Sequence, residues 1–398
     1  MKTYINLLKN DTNFRILSIV QLICYFAAWF SHTGIFTLLI DLKAPVWAIT
    51  ISAAMAFLPG VFLAPFSGVF IDKFSPKPML VIMLIIEAIS ALMLLFINTL
   101  DLLWLLLILI FIRMGVGGVY FQVEMSLLPK ILKKQDLKTA NEIHSVIWAV
   151  AYTAGMSMAG IFIHFFGIKT AFLFDFSLYI VGFYFLLKLD VKSIKQKITE
   201  PVFQMLSKGL KYIKNNKLIL HLMLIHSFVG LTAYDALIAL LADYKYKFIL
   251  SASLAIGLTN ASRAFALMVG PAILGKFINN TNLHYFYVLQ GAGIILWSFL
   301  QNNFYIGFMG MFCAGFFTST LWSYTYTLIQ QNCDENFYGR VIAYNDMLFL
   351  GASALMSLFI GFLFNYGVSL RMITILMGLA FVVGAIYYYK IFKKYEIK

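Results

Sequence analysis

The chain has 398 residues, is 62% hydrophobic and 12% charged, and carries a formal net charge of +13. Soluble domains are about 45–50% apolar and about 25% charged, so no single water-soluble globule could enclose this much apolar side chain. Apolar runs of span length recur from end to end, which marks an integral membrane protein. The basic excess falls mostly in short loops between those runs, where Lys and Arg set membrane orientation, so no nucleic-acid partner is expected.

Runs of about 18 or more mainly apolar residues predict twelve helices, over 16–40, 46–71, 79–98, 102–123, 143–163, 170–188, 218–242, 250–274, 283–300, 304–329, 342–364 and 368–391. The first run is too long for a signal-peptide core and lacks a small-residue cleavage site, so it reads as a retained span. None of the runs shows the alternation of a membrane β-strand. The expected fold class is therefore an all-α membrane protein, with six-helix bundles over 1–188 and 218–398 and a linker over 189–217. With the N-terminus inside, inner loops and tails hold 23 of the 30 Lys and Arg, outer loops hold five, and Arg113 and Arg263 lie within spans. That bias places both termini in the cytoplasm.

In chain order, the first span carries Tyr25, Trp29, Phe30 and His32. The turn after the second span contains Gly68, Asp72, Lys73 and Lys77. Glu87 and Arg113 follow in spans three and four at similar depth, close enough at about 1.5 Å rise per residue to pair. A charge in mid-bilayer costs roughly 2.5–3.5 kcal/mol on insertion scales, so the two either neutralise each other to hold the bundle or move a proton. In the linker, Val202, Met205, Leu206, Leu210 and Ile213 take one helical face and Lys208, Lys211 and Lys214 the other. Such a helix suits the inner leaflet; a solvated linker helix is the alternative.

Spans seven and eight place Asp235 and Arg263 inside the membrane. An Asp facing a cavity that releases and captures a proton would suit a proton-driven carrier. His221 and His226 are five residues apart, on diverging faces poorly placed for joint metal binding, and His226 reads as a packing residue. Trp322, Tyr324 and Tyr326 in span ten, with Tyr25, Trp29 and Phe30, form candidate walls for a bulky apolar or cationic solute. A shift of 203 positions sets Asp72-Lys73-Phe74 on Gly275-Lys276-Phe277, His32 opposite Asp235, and Glu87 opposite Gln290. This is modest evidence for a duplicated half, as in transporters whose substrate site lies between two repeats. Cys24, Cys313 and Cys333 are scattered and offer no disulfide or metal framework. No phosphate-binding loop or hydrolase motif occurs, so neither an enzyme nor an ATP-driven pump is expected.

Several motifs resemble the major facilitator superfamily, and more narrowly its macrolide- and siderophore-exporting branch. Asn13-Phe14-Arg15-x-Leu17-x3-Gln21 resembles that branch's start of helix one, and Gly68-x3-Asp72-Lys73 with Lys77 is similar to the superfamily's loop motif. Arg113-x3-Gly117-Gly118 looks like the helix-four motif, Leu128-Pro129-x7-Leu137-x2-Ala140-Asn141 like the passage into helix five, and Gly339-Arg340-Val341 like the start of helix eleven. Two positions depart: Ser75 replaces a loop glycine, and Gly155-Met156 stands where drug antiporters have Gly-Pro.

The resemblance implies a multi-pass carrier of a bacterial inner membrane that exports a drug or siderophore by alternating access as a proton antiporter. It implies a coupling role for Arg113, while the buried charges and the missing nucleotide site point to a proton gradient as energy source and to no cofactor. The expected partners are a small-molecule substrate and the lipid bilayer, with a monomer as the working unit. A uniporter or lipid-handling carrier, an uptake symporter and a non-transporting receptor are the competing readings. Asp72 could offer its charge to the N-terminal end of span eleven, assisted by Arg340, as a cytoplasmic gate that favours the outward-open state. Asp72→Asn is then expected to raise cysteine-probe accessibility on the cytoplasmic side, and unchanged labelling would remove the gate.

Overall fold

The computed structural model describes residues 2–63, 66, 74–191, 202–334 and 337–395, and among them every regular element is a helix. Gly68, Asp72 and Lys73, three of the gate residues, lie outside the described residues. Among the described residues twelve helices are long and apolar enough to cross a membrane: Thr12–Asp41, Val46–Leu63, Pro76–Leu94, Leu100–Leu128, Thr139–Phe166, Ile168–Leu187, Lys217–Tyr246, Ala252–Leu274, Leu283–Leu300, Phe304–Asn332, Tyr338–Asn365 and Leu370–Tyr395. They are called spans one to twelve below. All twelve expected spans are present, and the differences lie at the ends: spans one and four run beyond the apolar run, span three stops at Leu94 rather than 98, and most of 64–71, expected in span two, lies outside the described residues. Span one begins at Thr12 because Asp11 caps it, accepting the Phe14 N–H at 2.8 Å, a preferred N-cap interaction. Span four continues past the expected end at residue 123 as helix through Ile131. Span seven is interrupted by a tight turn at Gly230–Thr232 before helix resumes at Asp235.

Close packing divides the chain into two compact units, residues 1–42 with 66–199 and residues 43–65 with 200–398. In the first unit span one packs against spans five and six, and span three against spans four and six. Gly155 makes the first of these contacts possible: a Cβ there would lie 2.8 Å from the Phe26 carbonyl oxygen and 2.9 Å from the Trp29 Cβ. Small residues let membrane helices approach closely where burial of apolar surface supplies no drive. In the second unit span nine packs on spans ten and twelve, and span seven on spans ten and eleven. Span two belongs to this unit because it packs along span eleven, with Gly361 against the Thr50 side chain and Gly60 against Leu350.

The linker helix, Val202–Asn215, docks on the start of span eleven. Tyr212 stacks on Phe337 with ring centroids 4.3 Å apart, Tyr344 donates to the Leu206 carbonyl at 3.1 Å, and Gly209 lies against the Arg340 side chain. Neither a leaflet nor solvent alone therefore covers this helix: Ile213 is buried, while Lys208, Lys211, Lys214 and Leu210 stay exposed.

A methyl group at Gly155 must displace backbone and should cost about 1–3 kcal/mol, as overpacking does. Gly118 has nothing within 4 Å of its Cβ position, and Gly→Ala in a helix gains about 0.5–1 kcal/mol. Thermal unfolding in detergent should therefore give a lower Tm for Gly155→Ala and an unchanged or higher one for Gly118→Ala.

Candidate functional site

The first unit holds a buried charge cluster contributed by four spans. Arg113 of span four is 3% exposed, and a guanidinium needs several acceptors when removed from water. Its Nη1 donates to the Glu87 carbonyl at 3.2 Å and to Ser90 Oγ at 3.1 Å, both on span three. Its Nη2 donates to Ser31 Oγ of span one at 2.9 Å and to Asp175 Oδ2 of span six at 3.1 Å. The Glu87 carboxylate lies 3.5 Å from Nη1, and the guanidinium sits 5.6 Å from the centre of the Tyr179 ring. Ser31 also donates to Asp175 Oδ2. The expected Glu87–Arg113 proximity is present, but the cation has two carboxylates rather than one.

Asp175 did not figure among the sequence candidates, although the cost of an ionisable group inside a span marks it. Glu124, 2% exposed in span four, was missed for a different reason: it lies one residue beyond the apolar run expected at 102–123. It accepts the Tyr25 hydroxyl at 2.9 Å.

In the second unit, Asp235 and Arg263 form an ion pair at 3.6 Å, joining two candidates that the sequence left apart. Arg263 Nη2 also donates to the Thr232 carbonyl at 3.0 Å, and the guanidinium lies 5.1 Å from the centre of the Tyr234 ring. Thr232 is in the turn that interrupts span seven, so Arg263 serves a backbone carbonyl at the break. Gln290, matched to Glu87 by the repeat, donates to the Ala314 carbonyl at 2.7 Å and to Tyr234 at 3.4 Å, and accepts from Thr318 at 3.1 Å. The same 203-residue shift sets Tyr234 opposite Ser31. Polar side chains thus stand at matching positions of the repeat on two helices, Ser31 with Tyr234 and Glu87 with Gln290. Phe316 stands opposite Arg113, so the contact set is charged in the first unit and neutral in the second.

The remaining candidates are dispersed. His32 is buried between the edges of Trp29 and Phe36. Phe30 is enclosed by Phe26, Phe162 and Phe174 as a core side chain. Trp322 and Tyr326 stack at 5.0 Å around His226, whose Nδ1 lies 2.8 Å from Thr325 Oγ1, and Tyr324 donates to Asn280 at 2.6 Å. His221 instead meets Tyr387 at 2.7 Å, so the two histidines serve different neighbours. Lys77 donates to the carbonyls of Leu187 and Leu189 at the end of span six, and Asn13 brackets Asp190 with bonds of 2.8 and 3.1 Å. Arg340 lies over the Phe337 ring at 5.3 Å. Among the described residues no group of three or more His, Cys, Asp or Glu could hold a metal ion.

Residues 17–349 match the family model of the Major Facilitator Superfamily. The chain belongs to this superfamily. It is accordingly a multi-pass membrane transporter and not an enzyme. Among curated proteins, none matches the sequence. Solved structures of similar fold include a nucleoside transporter NupG mutant (TM-score 0.75, 14% identity, 96% of this chain and 99% of that one). The POT family transporter PepTSo matches at a TM-score of 0.76 and 10% identity over 98% of this chain and 99% of that one. A bacterial homolog of the human lysosomal transporter Spinster matches at 0.70 and 13% identity over 96% of each chain. At these identities the likeness concerns the major facilitator fold alone.

Removing one member of a buried ion pair costs about 3–5 kcal/mol because it strands the other charge. Arg113→Ala should therefore lower the Tm in detergent, and adding Glu87→Gln and Asp175→Asn should restore part of the loss. An additive triple variant would show that these groups do not act together.

Proposed function

We propose that this chain is a secondary carrier that exports a bulky amphipathic small molecule, of drug or siderophore class, by alternating access against inward proton flow. The carrying observation is the single Arg113 guanidinium set against two buried carboxylates, Glu87 and Asp175. With all three ionised the cluster holds one surplus negative charge, and net charge inside a bilayer is costly. One proton neutralises the surplus, so occupancy by a proton and the packing of four spans are linked variables. A carrier that moves between two packings would thereby bind and release that proton in step with its substrate.

The absence of a phosphate-binding loop from the sequence supports a gradient rather than ATP as the source of energy. Export, and placement in a bacterial inner membrane, rest on the motif resemblance from Asn13 to Val341. The excess of Lys and Arg in alternate loops supports cytoplasmic termini. On this reading the turn at Gly68–Lys77 and Arg340 act as a gate rather than as a binding site, Asp235 and Arg263 are a second charge pair available to respond to transport, and the carrier works as a monomer.

The test is flux in proteoliposomes with an imposed pH gradient, using a panel of dyes, macrolides and siderophores. Gradient-dependent movement of at least one solute is expected, with Arg113→Ala inserted in the membrane but inactive. Gradient-independent flux, or full transport by Arg113→Ala, would remove proton coupling through this cluster.

A further inference from the structure

We infer that the first unit carries a recognition site for an organic monocation, built from the Glu124 carboxylate and the rings of Tyr25, Tyr120, Phe121 and His144. Glu87 and Asp175 share Arg113, and Asp235 has Arg263. Glu124 has no Lys or Arg in ion-pair range among the described residues. One of its oxygens accepts the Tyr25 hydroxyl at 2.9 Å; the other, Oε1, is buried without a hydrogen-bond partner. A buried carboxylate left without a countercharge is expensive; the neighbouring Tyr25 and Tyr120 hydroxyls are neutral donors, and a cationic ligand supplies the charge that the surrounding side chains do not.

The surroundings match that ligand. Tyr120 and Phe121 precede Glu124 by four and three residues, and so share its side of span four. Tyr25 meets Tyr120 edge to face at 6.5 Å and His144 at 6.1 Å, and His144 meets Phe121 at 5.1 Å. Gln21 is hydrogen-bonded to the His144 ring, which holds that ring in place. Aromatic faces attract a cation, more strongly when water is excluded. Phe121 is 39% exposed, so the enclosure is open on one side.

An aromatic seam continues from the site along spans one and five. Residues 21, 25 and 29 of span one, and 144, 148 and 152 of span five, recur every four positions and form one face on each helix. Trp29 meets Tyr152 at 4.5 Å, and Trp148 stacks on Tyr152 at 5.3 Å with an interplanar angle of 4°. Trp148 is itself 38% exposed. An acid at one end of an aromatic seam selects an amphipathic cation with a bulky aromatic body, and repels an anionic siderophore. This narrows the substrate of the proposed carrier and rests on that reading for the direction of movement, not for binding.

The test uses the purified full-length chain in lipid nanodiscs, with tetraphenylphosphonium as the cation and triphenylphosphine oxide as an uncharged aryl control. The wild type should bind the cation at least about tenfold more tightly than the control, a difference of about 1.4 kcal/mol. Glu124→Gln keeps the volume and the acceptor for Tyr25 but loses the charge; it should abolish that preference while leaving binding of the control unchanged. A purely structural role for Glu124 gives equal preference in both proteins and overturns the proposal. Should the variant fail to fold, the wild type still decides: the cation should protect Glu124 from a hydrophobic carbodiimide, read by mass spectrometry, and unprotected labelling would overturn the site. Cation binding without gradient-driven export would sustain this site and sink the carrier reading. Gradient-driven export of neutral or anionic solutes without cation binding would do the reverse.

Discussion

The Arg113 guanidinium lies inside a bundle of membrane spans with donors directed at spans one, three and six, and the first unit is arranged so that both terminal nitrogens meet acceptors. In water such a group would cost nothing to expose. In a bilayer it must be enclosed by acceptors, and those acceptors can only come from neighbouring helices. Spans one, three and six are therefore held to the rotations that present Ser31, Ser90 with Glu87, and Asp175 to one point. The same constraint gives the cluster its chemical interest: one cation and two carboxylates form a set whose net charge changes with a single proton.

The second unit solves the equivalent packing problem without a charge at the matching place. Gln290 stands opposite Glu87 in the repeat, and its amide is met by Tyr234, Thr318 and the Ala314 carbonyl. A neutral amide needs fewer acceptors than a guanidinium and brings a smaller desolvation cost. The second unit's charge pair, Arg263 with Asp235, instead sits where span seven is interrupted, with Arg263 bonded to a carbonyl there. The halves thus share positions but divide the labour, with the protonatable surplus in the first and the broken helix in the second.

Membrane class, helical fold and the approximate place of each span were legible because the bilayer imposes a single length and polarity rule on every crossing segment. The ends were less legible. Span four continues as helix to Ile131, eight residues beyond its expected last position at 123, because backbone hydrogen bonding does not stop where hydrophobicity does, and that extension carries Glu124. Glu87 and Arg113 were readable as neighbours because consecutive antiparallel spans share a depth scale. Asp175, 62 positions from Arg113, reaches the same point from a span that is not adjacent in sequence.

Sequence alone determined that this chain crosses a membrane through twelve helices, and that Glu87, Arg113, Asp235 and Arg263 must be accommodated inside them, since both follow from transfer cost residue by residue. Asp175 and Glu124 emerged only with the structure. Tertiary structure decided which of them meet. The meeting of Arg113 with two acids, of Asp235 with Arg263, and of Glu124 with a tyrosine and no described cation depends on helix rotation and on which spans become neighbours. Those are set by close contacts such as Gly155 on Phe26 and Trp29 and Gly361 on Thr50. Hydropathy records how deep a residue lies and is silent about the direction it faces.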